Sequence, residues 1–334
     1  MQRADHSMIP FETPEWLPFE LDPTTDRVAW LGMSEADYRA ASFLDQRMLR
    51  PDSEFRHSPW PDMPADSRRD ADYIFHIGNV GSTLISRLLG ELPQVFALRE
   101  PLLLRSFAEM RPSDERFDTL TALLARTFRP EQRANVKATS FTSEIADRLV
   151  RPGGRALFLY AAPERYLENI LAGQNSWQTL AALSPVRLAR LQRRCPGLAA
   201  DLGRMHDGLK AALGWACEMT SLGEAAGKLP AEAVLWMDFD VFLADPPRHF
   251  AGVAGHFGHD VDPAAARAIC EGPLMRRYSK ALDYEYSPEL RREILADARR
   301  RHAPAIADAL NWLAGLESRY PAVARAIRRA RGEG

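Results

Sequence analysis

The residues best placed to do chemistry lie in one run, His76–Leu89, HIGNVGSTLISRLL. A short apolar run enters it, a glycine-containing turn breaks it, and a helical pattern leaves it. A helix N-terminus carries unpaired N–H groups and a partial positive charge. Gly78 and Gly81 let the backbone approach an anion and aim several N–H groups at it. Ser82 and Thr83 add hydroxyl donors. The expected product is a phosphate or sulfate cradle over Gly78, Asn79, Val80, Gly81, Ser82 and Thr83. It is not the G-x-x-x-x-G-K-[ST] nucleotide loop, because Ser82 follows Gly81 and there is no lysine.

Other chemistry is sparse. The cysteines at 195, 217 and 270 are far apart, odd in number and without a C-x-x-C pair, so neither a disulfide framework nor a zinc site is expected. His76 sits in an apolar run and reads as a buried, satisfied imidazole. The other histidines show no ligand spacing, so no metal is expected. The net charge of −2 provides no global field for nucleic acid or an acidic membrane, and neither partner is expected. Only four of the 43 basic residues are lysines, Lys137, Lys210, Lys228 and Lys280, a bias that fits a GC-rich, bacterial genome. The polar, proline-broken N-terminus reads as no secretory signal, and no run approaches the ~18 apolar residues of a membrane span. The expected location is the cytoplasm.

The elements that must position the loop follow from pattern. Tyr73–Ile77, Val95–Leu98, Asn135–Ala138, Arg155–Tyr160 and Ala233–Met237 read as short buried strands. Helical stretches alternate with them: Ser82–Leu92, Thr119–Phe128, Ser143–Val150, Pro163–Ala172 and Leu209–Ala226, with helices dominating after Pro246. The expected fold is α/β, a three-layer P-loop-type parallel sheet with helices on both faces. Residues 1–70 read as a helical N-terminal extension built on Ser34–Leu49, capped by Ser34 with Asp37 in the capping-box position. Residues 71–334 form the main domain, with a helical C-terminal part.

The loop resembles the 5′-phosphosulfate loop of the sulfotransferase superfamily, P-[KR]-[ST]-G-[ST]-T-[LW], with Gly78–Leu84 at its positions in order. It is most similar to the bacterial and tyrosylprotein branch, whose pattern reads PRSGSTLLSRLL. In that branch an acidic residue after the next strand is the general base; Glu100, twenty-one positions after Asn79, stands there. A lysine closing the following strand stabilises the transferring sulfuryl group; Lys137 stands there. Met237–Gly258 is similar to the family's YEDLLADP…FLG segment, and Gly272–Lys280 to the loop that closes over the nucleotide. The resemblance implies a sulfotransferase-like enzyme with 3′-phosphoadenosine-5′-phosphosulfate (PAPS) or a similar donor. The loop residues with Arg276, Arg277 and Lys280 would hold the donor, and Glu100 and Lys137 would be catalytic. The acceptor would be a small molecule or peptide bearing a hydroxyl or amine. The sequence does not set the oligomeric state.

The departures lie in the cations. The family's basic loop residue is Asn79 here. The arginine and serine of its 3′-phosphate clamp correspond to Ala161 and Asn169. Arg87, Arg99, Arg165, Arg276, Arg277 and Lys280 are the cations that could compensate. Two rival readings follow. One is a diverged P-loop kinase or nucleotide hydrolase, with Asp238 as the best magnesium-ligand candidate. The other is a catalytically degenerate fold that binds a partner.

Overall fold

The computed structural model describes residues 13–277 and 286–333, side chains of 174–179 excepted. The chain opens with β1 (Trp16–Asp22) and β2 (Arg27–Gly32), an antiparallel pair. The Asp22 carboxylate accepts the Thr24 N–H at 2.8 Å and sets the turn between them. After α1 (Glu35–Ala40), β3 (Phe55–Pro59) adds antiparallel to β2. Residues 13–60 are therefore chiefly a three-stranded sheet, and the expected helical extension is corrected. The aromatic and branched residues of WLPFELD and RVAWLG, flanking a Pro-Thr-Thr-Asp turn, are the hairpin signal.

The Ser34 capping box is present as expected. The helix behind it is not: α1 stops at Ala40, and only a short 3-10 turn, Gln46–Met48, follows. Its termination is tertiary. The buried Arg99 guanidinium donates to the Ala41 carbonyl at 2.7 Å, the Arg39 carbonyl at 2.9 Å and the Tyr38 carbonyl. A distant arginine thus satisfies the carbonyls that a longer helix would have used itself.

The main sheet has five parallel strands: β4 (Asp72–His76), β5 (Val95–Arg99), β6 (Arg133–Lys137), β7 (Ala156–Tyr160) and β8 (Val234–Asp238). Their order is β5-β6-β4-β7-β8. All five match strands read from the sequence to within about two residues. Every residue of β4 and β7 is buried, which is why Tyr73–Phe75 and Ala156–Tyr160 read as continuous apolar runs. Helices flank the sheet in the expected α/β manner. First come α2 (Ser82–Leu89), α3 (Leu102–Met110), α4 (Asp114–Leu124), α5 (Ala146–Leu149) and α6 (Pro163–Ala172). Then follow α7 (Gln174–Arg194), α8 (Asp207–Ala226), α9 (Phe239–Ala244), α10 (Pro246–His256) and α11 (Pro263–Glu271). The chain ends with α12 (Pro288–Arg301), α13 (Ala303–Glu317) and α14 (Pro321–Ala330).

Helix α7 is not among the helices expected from the sequence. Pro185 lies inside it, and Arg187 and Arg190 are buried although arginine normally marks the solvent side. Arg187 is buried because Glu218 of α8 pairs with it at 3.0 Å.

The topology decides where a ligand can sit. From β4 the chain crosses to β5 on one side; from β7 it crosses to β8 on the other. Loops leaving adjacent strands in opposite directions open a crevice at their carboxyl ends. That crevice lies between the loop after β4 and the residues after β7. Along the same edge, in spatial order, stand Glu100, Lys137, the Gly78–Thr83 loop, Ala161 and Asp238.

Candidate functional site

The loop after β4 is held from below by His76. Its Nε2 lies 2.8 Å from the Ala138 carbonyl, and its Nδ1 accepts the Gly78 N–H at 3.1 Å. Those two bonds fit a neutral imidazole protonated at Nε2. The expectation of a buried, satisfied histidine holds, and its function is to fix where the loop begins.

Gly78, Asn79 and Gly81 all have left-handed backbones, with φ of 95°, 53° and 71°. Gly81 is also sterically obligatory: a Cβ there would lie 2.0 Å from the Phe239 ring. Gly81 is the N-cap of α2 and offers no side chain to its amides. Val80 is fully buried, so only its backbone can serve a ligand. Asn79 is exposed. The Thr83 and Ser86 hydroxyl oxygens are buried with no hydrogen-bond partner. An orphan hydroxyl one residue inside a helix N-terminus that lacks a side-chain cap fits an anion in the cradle.

Glu100 and Lys137 are brought together as an ion pair, Lys137 Nζ to Glu100 Oε1. The cause is register: Arg99 pairs with Lys137 across β5 and β6, so the next residue reaches the lysine. The Glu100 N–H donates to the Lys137 carbonyl at 2.6 Å and holds Glu100 at φ 53°, an unusual conformation for a non-glycine residue. The lysine side chain is fully buried and the glutamate 16% exposed. Arg47 reaches the other Glu100 oxygen, Nη2 to Oε2 at 3.3 Å. The Arg47 guanidinium stacks 3.4 Å over Phe43, whose ring is also 5.8 Å from Lys137 Nζ. Sequence reasoning missed Arg47 and Phe43. They lay inside the supposed helix, and no local pattern points from them to Glu100.

The compensating arginines are mostly committed elsewhere. Arg99 caps α1, and burial, with Arg87 adding a smaller push, lowers its guanidinium to about 9. Arg87 donates to the Ser42 hydroxyl at 2.8 Å. Arg165 divides itself between Asp240 at 2.7 Å and Glu168 at 2.6 Å. Glu168 is buried and also holds Arg299; Asp240 also takes Arg291 at 2.6 Å. Arg276 and Arg277 are exposed, at the end of the short 3-10 turn Pro273–Arg276, which packs near α2. Lys280 lies outside the described residues. Ala161 is buried, and its carbonyl accepts the Trp215 indole N–H at 3.0 Å. Asn169 Nδ2 is buried with no hydrogen-bond partner. Asp238 is the N-cap of α9, accepting the Asp240 N–H at 2.7 Å. Burial raises its carboxyl above the usual range.

No family model matches the chain, and no curated protein matches it. Solved structures do. A sulfotransferase domain from the curacin biosynthetic pathway is 14% identical, over 65% of this chain and 83% of its own, at a TM-score of 0.42. A sulfotransferase from Alicyclobacillus acidocaldarius is 17% identical over 72% of this chain and 96% of its own, at 0.36. A mouse sulfotransferase complexed with PAP is 12% identical over 67% and 73%, at 0.33. A retinol dehydratase in complex with androsterone and PAP is 13% identical over 74% of this chain and 82% of its own, at 0.34.

Proposed function

We propose that the chain is a sulfotransferase-type enzyme that moves a sulfuryl group from a nucleotide donor to a hydroxyl or amine acceptor. The observation carrying this reading is that Glu100 and Lys137, from different strands, meet at the sheet edge beside the Gly78–Thr83 cradle. In this reading the loop amides and the Thr83 hydroxyl bind the donor's 5′ phosphosulfate. Glu100 takes the acceptor proton as the new O–S bond forms. The S–O bond to the donor phosphate breaks, and its electron pair stays on the phosphate oxygen. Lys137, paired with Glu100, offsets the negative charge at the transferring group. Burial keeps both charges in a low-dielectric setting, where that offset is strongest.

The residues fit the 5′ end of PAPS better than its 3′ end. The 5′ end meets orphan donors. At the positions that resemble a 3′-phosphate clamp stand a buried alanine and one spare amide. Among the described residues, the compensating cations Arg276 and Arg277 are exposed, and they would supply that charge. The engagement of Asp238 in capping α9 favours sulfuryl transfer over a magnesium nucleotide reaction routed through that carboxylate.

The test is calorimetry with adenosine 3′,5′-bisphosphate, ATP and sulfate, each with and without Mg²⁺. It is followed by transfer of radiolabelled sulfate from PAPS to a panel of phenols and amines. Metal-independent bisphosphate binding and label transfer that is lost in Glu100→Gln support the proposal. Magnesium-dependent ATP turnover, or no nucleotide binding at all, would overturn it.

A further inference from the structure

The stretch Ser42–Arg47 is fastened to α2, β5 and α3. Leu44 is buried and straddles the Glu100–Pro101 corner: its N–H donates to the Arg99 carbonyl at 2.7 Å, and the Leu102 N–H donates to its carbonyl at 3.0 Å. The Ser42 hydroxyl accepts from Arg87 of α2 at 2.8 Å. The left-handed Glu100 backbone is thus fixed by its own bond to the Lys137 carbonyl and by the Leu44 bonds on either side of it. The same stretch presents one side chain to the Glu100 carboxylate. Arg47 is 55% exposed, and an exposed arginine with a single partner would be mobile. This one is fixed on several sides. Its Nε donates to Asp45 Oδ1 at 2.9 Å and to Oδ2 at 3.0 Å, and its Nη2 also pairs with Oδ2. Its guanidinium carbon lies 3.4 Å from the Phe43 ring centroid. Asp45 is itself fixed as the N-cap of the 3-10 turn, accepting the Arg47 backbone N–H at 3.0 Å. Nη2 then meets Glu100 Oε2 at 3.3 Å, while Lys137 holds Oε1.

We infer that Ser42–Arg47 is part of the active site and that Arg47 is the positioning residue of Glu100. The inference rests on the proposed role of Glu100 as the base that takes the acceptor proton. With one oxygen anchored on β6 and the other on the N-terminal segment, the carboxylate plane is held in one orientation, and a base works only when held in line with the proton it removes. Asp45 makes the anchor durable. As the proton moves from the acceptor oxygen to Glu100, the glutamate loses its charge, but Arg47 keeps Asp45 as counter-ion. The Asp45–Arg47 pair carries no net charge. It orients Glu100 through a directed N–H without setting an uncompensated cation beside the base.

The test measures transfer of radiolabelled sulfate from PAPS to the phenol or amine of the panel that reacts fastest with the wild type. Arg47→Gln is expected to lower kcat by roughly tenfold to hundredfold, with the acceptor KM and the adenosine 3′,5′-bisphosphate affinity held within about twofold. Arg47→Lys, which keeps a cationic donor, is expected to recover part of the loss. Asp45→Asn still caps the turn but loosens Arg47, so it is expected to lower kcat in the same way and less. Arg50→Gln removes a nearby exposed arginine paired with Asp37 and is expected to leave kcat unchanged. Thermal melting confirms that each variant is folded. An unchanged kcat in Arg47→Gln, a loss confined to KM, an equal loss in Arg50→Gln, or no recovery in Arg47→Lys would each overturn the inference and leave Glu100 its role. A wild type that transfers no label, or a Glu100→Gln variant as active as the wild type, would overturn the proposed function and this inference with it.

Discussion

The crevice has two ends built on opposite plans. At the β4 end, polar groups are unspent: the α2 amides have no side-chain cap, and the Thr83 and Ser86 hydroxyls are buried without partners. At the β7 end the charges are paired: Arg165, Arg291 and Arg299 meet Glu168 and Asp240, and the Asn169 amide Nδ2 is buried there without a hydrogen-bond partner. A folded chain normally satisfies its buried polar groups, so an unsatisfied group marks where a ligand is expected and a paired charge marks structure. Arginine count alone would have ranked the two ends the other way round.

The sharpest way to break this comparison is Gly81→Ala. The new Cβ meets Phe239, and the left-handed backbone disfavours it further, so about 2–4 kcal/mol of stability and all anion binding should be lost. Denaturant unfolding and sulfate titration measure both; a variant that stays stable and binds would show that the loop is not a rigid cradle. Next in size is the ion pair. Glu100→Ala leaves the fully buried Lys137 without its carboxylate and should cost about 3 kcal/mol. Lys137→Met leaves the partly exposed glutamate with Arg47 and should cost clearly less. A reversed order of melting temperatures would mean that the glutamate, not the lysine, is the trapped charge.

At the spent end, Arg165→Ala should lower stability by about 1–2 kcal/mol and leave bisphosphate affinity unchanged within twofold. A large loss of affinity would make Arg165 a ligand after all. The smallest stability effect belongs to Thr83→Val. Because the Thr83 hydroxyl has no partner, removing it should change stability by less than about 0.5 kcal/mol. Anion affinity should nevertheless fall by roughly tenfold, since a hydrogen bond to a charged group is lost. If affinity is untouched, the orphan hydroxyl is not aimed at the ligand.

Five strands, the loop and the buried His76 were legible because each is a local pattern: an apolar run, a glycine break, a helical period. Glu100 and Lys137 came from resemblance, and their contact rests on β5–β6 register, which no local pattern carries. The N-terminal sheet was misread although its hairpin signal was present, because the strong Ser34 capping box suggested a longer helix than the tertiary fold allows. Arg99 ended that helix from fifty-eight residues away. Helix α7 was illegible because arginines paired inside the molecule look, in sequence, like arginines facing water.

By itself, then, the sequence determined a parallel α/β sheet and a glycine turn that can cradle an anion, because backbone conformation and hydrophobic period are local properties. Only the tertiary structure decided which charges remain available. That Arg165 is consumed, that Arg99 is a helix cap and that Arg47 touches Glu100 all depend on partners far away in the chain. An arginine's role is set by the nearest carboxylate or carbonyl in space, and that neighbour is chosen by packing.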